Sequence, residues 1–95
     1  MPSPTKVLLD REVVDFASRL HPDTRRAIKA ALRALAEGKG DIAPLAEDLA
    51  GLYRLRVGRF RIIYRHDSST VIRCFFMEER RIVYDTLRLR PDLWD

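Results

Sequence analysis

The chain has 95 residues, 46% of them hydrophobic and 34% charged, which is the size and composition of one folded domain with a modest core. No run approaches the roughly 20 apolar residues of a membrane span, and no long apolar segment typical of a secretory signal follows the N-terminus. We therefore expect no membrane association. The lone cysteine, Cys74, cannot form an internal disulfide, so we expect a cytoplasmic location.

The net charge of +4 lies in the second half of the chain. Residues 51–95 contain ten arginines, no lysine and six acidic residues, whereas residues 1–50 balance eight cations against eight acids. The planar guanidinium group matches phosphate and carboxylate geometry better than an ammonium does. This composition therefore predicts an anionic partner: RNA, DNA or an acidic protein.

The first half of the chain predicts a strand followed by two helices. Thr5–Leu9 contains a short apolar run that suits a strand, and Asp10 can N-cap the next element. Apolar residues recur at helical spacing over Arg11–Leu20. Pro22 fits the first turn of a second helix, which is amphipathic. That helix ends at two glycines, Gly38 and Gly40.

The segment Leu52–Tyr64 alternates polar and apolar residues, which predicts two half-buried strands. Gly58 between them suits a hairpin turn or a tight bulge. If the apolar faces of both strands lie on one core, then Arg54, Arg56 and Arg61 stand together on the open side of the sheet. Such a face is either a solvated surface, with arginine stems over apolar residues, or a phosphate-binding surface.

The remaining segments complete an antiparallel sheet. Asp41–Gly51 has no clean period and predicts a loop with one helical turn. Thr70–Met77 predicts a third strand, Ile82–Leu89 is either a short strand or a helical turn, and Pro91–Asp95 is a tail. The residues of the third strand expected to face the helices are Ile72, Cys74 and Phe76.

This order of elements predicts a single two-layer α+β domain over residues 1–95. The N-terminal strand and two helices would pack on one face of an antiparallel sheet. The opposite face, which carries the arginines, would remain open for binding.

Few side chains outside the arginines suggest chemistry. His66 is either a general base or a turn residue in water, and Tyr84 either packs the C-terminus or acts in base stacking or proton transfer. Glu78 and Glu79 are adjacent, so they point to opposite faces of a strand and are expected to pair with nearby arginines. Two separated histidines and one cysteine do not make a metal cluster, and we expect no metal or other cofactor.

Three segments resemble the RelE/ParE superfamily of bacterial type II toxin–antitoxin toxins. Gly51–Gly58, followed by Arg59–Tyr64, is similar to the most recognisable block of this family. Pro44–Gly51 looks like the usual approach to that block, and Arg80–Tyr84 is similar to the C-terminal arginine and Val-Tyr of the family. The order of elements agrees over nearly the whole chain.

The resemblance implies a toxin with an acidic antitoxin as its partner. The RelE-like branch, which the matched positions favour, cleaves mRNA on the ribosome without a metal. There the 2′-hydroxyl attacks the adjacent phosphate and leaves a 2′,3′-cyclic phosphate. The ParE-like branch instead inhibits DNA gyrase without catalysis, and an inactive relative would only bind its antitoxin.

The same resemblance implies roles for individual residues. The catalytic candidates are Arg61, Arg80 and Tyr84. The substrate-binding candidates are Arg54, Arg56, Arg59, Arg65 and Arg81. Two departures from the family pattern stand out. Positions 54 and 56 are often lysine in the family, and an arginine is a poor proton carrier. Glu78 and Glu79 replace a usually apolar segment, and two acids beside an RNA site could weaken binding.

Overall fold

The computed structural model describes residues 5–94, in which a five-stranded sheet carries helices on both faces. The strands are β1 (Lys6–Leu9), β2 (Ile42–Pro44), β3 (Tyr53–Val57), β4 (Phe60–Ser68) and β5 (Val71–Glu79). The helices are α1 (Arg11–Ser18), α2 (Pro22–Ala36) and α3 (Val83–Leu89), with short 3₁₀ turns at Glu47–Leu49 and Pro91–Leu93. The predicted α+β class is confirmed.

The strands lie in the order β1-β5-β4-β3-β2. The pairs from β5 to β2 are antiparallel, whereas β1 joins β5 in parallel as an edge strand. The N-terminal strand is thus part of the sheet, and the segment predicted as a loop before the hairpin contributes the other edge, β2. Residues 5–94 include no helix with both the length and the apolar character needed to cross a membrane.

Helices α1 and α2 begin where the sequence predicts, but the predicted side-chain cap of α1 does not form. Asp10 occupies the N-cap position of α1, yet its carboxylate makes no cap bond and instead accepts from Arg73 Nη1 at 2.8 Å. In α2, Pro22 is the first helical residue, and His21 Nδ1 accepts from the backbone N–H of Asp23. The Asp10 carboxylate therefore links the start of α1 to Arg73 of β5 and does not cap the helix.

The apolar faces of α1 and α2 cover one face of the sheet. This helix-side core is one cluster of buried residues from the helices and from alternate positions of the strands. Its buried members are Val13, Ile28, Leu35, Leu55, Phe60, Ile62, Tyr64, Ile72, Cys74 and Met77. Burial raises the pKa of the Cys74 thiol to about 12, as expected for a core cysteine rather than a reactive one.

The opposite face of the sheet is not left open, contrary to prediction. Helix α3, the segment before β3 and the C-terminal 3₁₀ turn cover part of it with a second cluster, the C-terminal core. The buried members of this core are Leu49, Leu52, Ile63, Phe75, Phe76, Val83 and Leu87. The alternatives left for Ile82–Leu89 are resolved as a helix because Val83 and Leu87, one turn apart, both reach this core.

A bulge in β5 explains one error in the predicted inward face. Ile63 pairs with Phe76 while Tyr64 pairs with Cys74, so Phe75 is an extra residue in the ladder. Both phenylalanines then contribute to the C-terminal core. Ile72 and Cys74 face the helices as predicted, but Phe76 does not, and Met77 takes that place.

Candidate phosphate-binding cleft

Four arginines from three separate segments meet at the β3–β4 turn. They line a cleft of about 390 Å³, here called the arginine cleft, whose lining residues are Arg56, Gly58, Arg59, Glu79, Arg80 and Arg81. A two-residue hairpin turn with Gly58 at φ +60° makes this arrangement possible, since it reverses the chain directly after Val57, one residue beyond Arg56. The backbone N–H of Arg80 donates to the carbonyl of Arg59 at 2.8 Å and holds the end of β5 against the turn.

The arginine cleft contains four guanidinium groups and one carboxylate. Glu79 Oε1 lies 3.8 Å from Arg59 Nη2, and both side chains are well exposed, at 42% and 71%. An exposed pair of this kind contributes little to stability. The described lining of the cleft is therefore strongly positive, with a single carboxylate, and its chemistry suits an anion such as a phosphate.

Arg61 lies under the turn rather than on an open surface. Its side chain is on the face of the sheet shared with Arg54 and Arg56, as predicted, but the residue is only 8% exposed. Nη1 donates to the carbonyl of Gly58 at 3.0 Å and to that of Phe60 at 2.9 Å. The expectation that Arg61 is exposed is wrong, because its guanidinium folds back to bind the turn.

Arg54 and Arg56 have an acidic partner that the strand pattern did not reveal. Asp41, just before β2, accepts from Arg54 Nη1 at 3.2 Å, and its second carboxylate oxygen lies 3.9 Å from Arg56 Nη1. The backbone N–H of Arg56 also donates to the carbonyl of Asp41. Asp41 reaches these two arginines because β2, which follows it directly, returns alongside β3.

Arg65 lies away from the arginine cleft, further along β4. It donates to Asp67 at 2.9 Å, and its guanidinium lies over the ring of Phe75, 5.6 Å from the centroid. Arg73 donates to the second oxygen of Asp67 at 2.7 Å and to Asp10. The hydrogen bonds from Arg73 and then Arg65 lower the pKa of Asp67. The geometry therefore does not bring Arg65 together with the other substrate-binding candidates.

The two aromatic candidates also lie outside the lining of the arginine cleft. Tyr84 is half-buried in the first turn of α3 and packs against the C-terminal core. His66 is exposed on the helix-side face of β4, with its ring edge-on to Tyr53 and Tyr64 at 5.2 and 5.9 Å. Burial raises the pKa of Tyr64 to about 12, so its hydroxyl is neutral. Neither His66 nor Tyr64 faces the cleft, because alternation in β4 directs them away from Arg61.

Glu79 is the functional candidate that the sequence did not single out for chemistry. It ends β5, where the register pairs it with Phe60, and it is one of the lining residues of the arginine cleft. Its neighbour Glu78 is paired with Arg61 in the sheet register, and its carboxylate accepts from the backbone N–H of Glu79. The pairing predicted between these acids and nearby arginines is therefore found for Glu79, with Arg59.

A second surface feature is an apolar groove between α1 and α2. It encloses about 230 Å³, and its exposed apolar side chains include Leu9 and Val14, at 41% and 49% exposure. Two cations, Arg25 and Lys29, stand one turn apart along its α2 edge. An exposed apolar strip bordered by charge is the pattern of a protein-binding surface.

Comparison with solved structures identifies the fold. The RelBE2 toxin–antitoxin complex from Mycobacterium tuberculosis matches 82% of this chain and 100% of the compared chain, with a TM-score of 0.69 and 23% identity. The archaeal RelE–RelB complex from Pyrococcus horikoshii matches 82% and 97%, with a TM-score of 0.66 and 24% identity. A free mutant of the E. coli toxin RelE matches 93% and 98%, with a TM-score of 0.68 and 18% identity.

No protein-family model and no curated protein matches the chain. The three structures are each less than 25% identical to it, so the likeness concerns the fold. The chain therefore has the fold of the RelE-like toxins, and the fold that the sequence resemblance implied is confirmed.

Proposed function

We propose that this protein is the toxin of a type II toxin–antitoxin pair and that it cleaves mRNA on the ribosome. One observation carries the proposal: on a fold shared with RelE toxins, four arginines from β3, the turn and the end of β5 line one cleft. We expect Arg56, Arg80 and Arg81 to contact one phosphate and its neighbour. Arg61 serves this cleft indirectly, by holding the turn that carries Arg59.

The proposed reaction is a transesterification within the RNA. The 2′-oxygen of one nucleotide bonds to the adjacent phosphorus, and the bond from phosphorus to the 5′-oxygen of the next nucleotide breaks. The products are a 2′,3′-cyclic phosphate and a 5′-hydroxyl, which takes its proton from water. Arg80 and Arg81 stabilise the charge that develops on the phosphoryl oxygens. The ribosome would orient the strand for in-line attack.

Glu79 is the proposed general base for this reaction. Among the described residues that line the cleft, it carries the one side chain able to accept the 2′-hydroxyl proton, since the others are arginines and a glycine. Its Oε1 lies 3.8 Å from Nη2 of Arg59, one of the four arginines that line the cleft. Tyr84 remains a candidate for stacking on a base from the side of α3.

The antitoxin is proposed to bind the groove between α1 and α2 as well as the arginine cleft. The groove needs an apolar strip to cover Leu9 and Val14, and its α2 edge needs acidic groups opposite Arg25 and Lys29. An acidic amphipathic segment that orders on binding meets both requirements. Its association should slow as salt rises, and an on-rate that is independent of salt would contradict this interface.

Cleavage can be tested on translating ribosomes by primer extension. Stops inside codons that require the wild-type protein, and that disappear in Arg80→Ala, would support the proposal. Their absence at saturating protein would refute it.

One observation favours the rival function, inhibition of DNA gyrase: the described lining of the cleft has no histidine or tyrosine to move protons. A supercoiling assay run in parallel separates the two functions. Loss of supercoiling without mRNA cleavage would assign the protein to the ParE-like branch. If the protein neither cleaves mRNA nor inhibits supercoiling, it is an inactive relative that only binds its antitoxin.

A further inference from the structure

The β3–β4 turn separates the arginine cleft from a second cleft on the helix side of the sheet. This turn cleft has a volume of about 410 Å³ and shares Gly58 and Arg59 with the arginine cleft. Its other lining residues are Asp23, Thr24, Ala27, Val57 and Phe60. The two clefts are therefore neighbours across a single two-residue turn, and a ligand can reach from one into the other by crossing Gly58 or Arg59.

The two clefts differ in chemistry. Charged side chains dominate the arginine cleft, whereas Ala27, Val57 and the ring of Phe60 give the turn cleft apolar walls. The Arg59 guanidinium lies over the Phe60 ring at 5.1 Å from its centroid, where a planar cation forms one side of a stacking site. Two groups at the α2 end can accept hydrogen bonds: the hydroxyl of Thr24 and the carboxylate of Asp23, which also pairs with Arg26.

Apolar walls, a guanidinium plane and a few hydrogen-bond acceptors together suit a flat heterocycle with amino groups on its edge. A nucleotide joins such a ring to a phosphate through one sugar. We infer that the turn cleft binds a nucleobase of the RNA strand whose phosphate occupies the arginine cleft. The inference rests on the proposed function for its substrate class, and it adds a site that selects bases at the cleavage position.

The acceptors suggest which bases fit. A carboxylate accepts hydrogen bonds from exocyclic amino groups, which adenine, cytosine and guanine carry and uracil lacks. We therefore expect the turn cleft to prefer amino-bearing bases over uracil.

The test is a titration of the isotope-labelled full chain, followed by amide chemical shifts, with inorganic phosphate, ribose 5-phosphate, AMP and UMP. Phosphate should shift the amides of the arginine cleft alone. AMP should also shift those of Thr24, Ala27 and Val57, and should bind at least about fivefold more tightly than ribose 5-phosphate, because a stacked base adds to the affinity. UMP should bind more weakly than AMP.

A blocking variant and a matched control sharpen the result. Ala27→Phe fills the cleft from an exposed position of α2, and Ala30→Phe places the same ring at another exposed position of that helix. Ala27→Phe should lower AMP affinity to that of ribose 5-phosphate, whereas Ala30→Phe should not. The wild-type titration decides the matter even if a variant fails to fold.

The inference is overturned if AMP shifts only the amides that phosphate shifts, or if ribose 5-phosphate shifts the turn cleft as strongly as AMP does. The inference is also overturned if an acidic antitoxin peptide shifts the turn-cleft amides and AMP does not. That result would assign the turn cleft to a protein partner. Failure of the proposed function is recognised separately. In that case AMP would still occupy the turn cleft, while ribosomal mRNA remained intact.

Discussion

Replacement of Arg61 by alanine should destabilise the fold as well as impair the cleft. The guanidinium is buried and donates to two backbone carbonyls, those of Gly58 and Phe60. The carbonyl of Gly58 belongs to a turn that water can reach, so in the variant a water molecule can replace part of that hydrogen bond's contribution to stability. The bond to the carbonyl of Phe60 is buried and is not replaced.

The magnitude follows from these contacts. A hydrogen bond from a charged donor contributes about 1.5–3 kcal/mol, and one unreplaced bond with part of a second gives about 2–3 kcal/mol for Arg61→Ala. In a domain of this size, each kcal/mol changes the melting temperature by about 4–8 °C, so the midpoint should fall by about 10–20 °C. The like charge of Arg56, which is paired with Arg61 across the strands, offsets a few tenths of a kcal/mol.

Arg80→Ala is the matched control, because this arginine is exposed and lines the arginine cleft itself. Its stability should change by less than about 0.5 kcal/mol. Thermal and urea unfolding of both variants, beside the wild type, measure the difference. Equal midpoints for the two variants would show that Arg61 does not brace the turn. If Arg61→Ala were fully folded yet inactive, direct contact with the reacting phosphate would be the better explanation.

Three further predictions address the site and the fold. Glu79→Gln should lower single-turnover cleavage on stalled ribosomes by roughly 10²–10⁴ with an unchanged melting midpoint, and wild-type cleavage would exclude Glu79 as the base. Tyr84→Ala should lower stability by about 1–3 kcal/mol because the ring packs on the C-terminal core, whereas Tyr84→Phe should melt like the wild type; an unchanged midpoint for Tyr84→Ala would contradict this packing. Because Arg73 and Arg65 lower the pKa of Asp67 in the folded state, this carboxylate stabilises the protein above its unfolded pKa, near 4. That contribution should disappear as pH falls through the lower folded pKa, so stability measured from pH 5 to pH 2 should decline less in Asp67→Asn than in the wild type.

Local patterns in the sequence determined the elements and the faces of the central hairpin. A period of two on either side of Gly58 predicts two strands, and it places Arg54, Arg56 and Arg61 on one face, as the register shows. Helical spacing likewise predicts both ends of α1 to within two residues, and Pro22 marks the first residue of α2. These features depend on neighbours within a few residues, so a single sequence contains the information.

The tertiary structure decided what covers each face and which residues meet. Periodicity places Arg61 on the face opposite α1 and α2, but its burial depends on the turn carbonyls that its guanidinium reaches. Asp41 becomes a partner of Arg54, 13 positions away, because β2 returns beside β3. The bulge at Phe75 redirects Phe76, and α3 covers a face predicted to be open. Glu79 joins the arginines for the same reason: the end of β5 reaches the hairpin turn only when the sheet has assembled, and no local pattern encodes that distance.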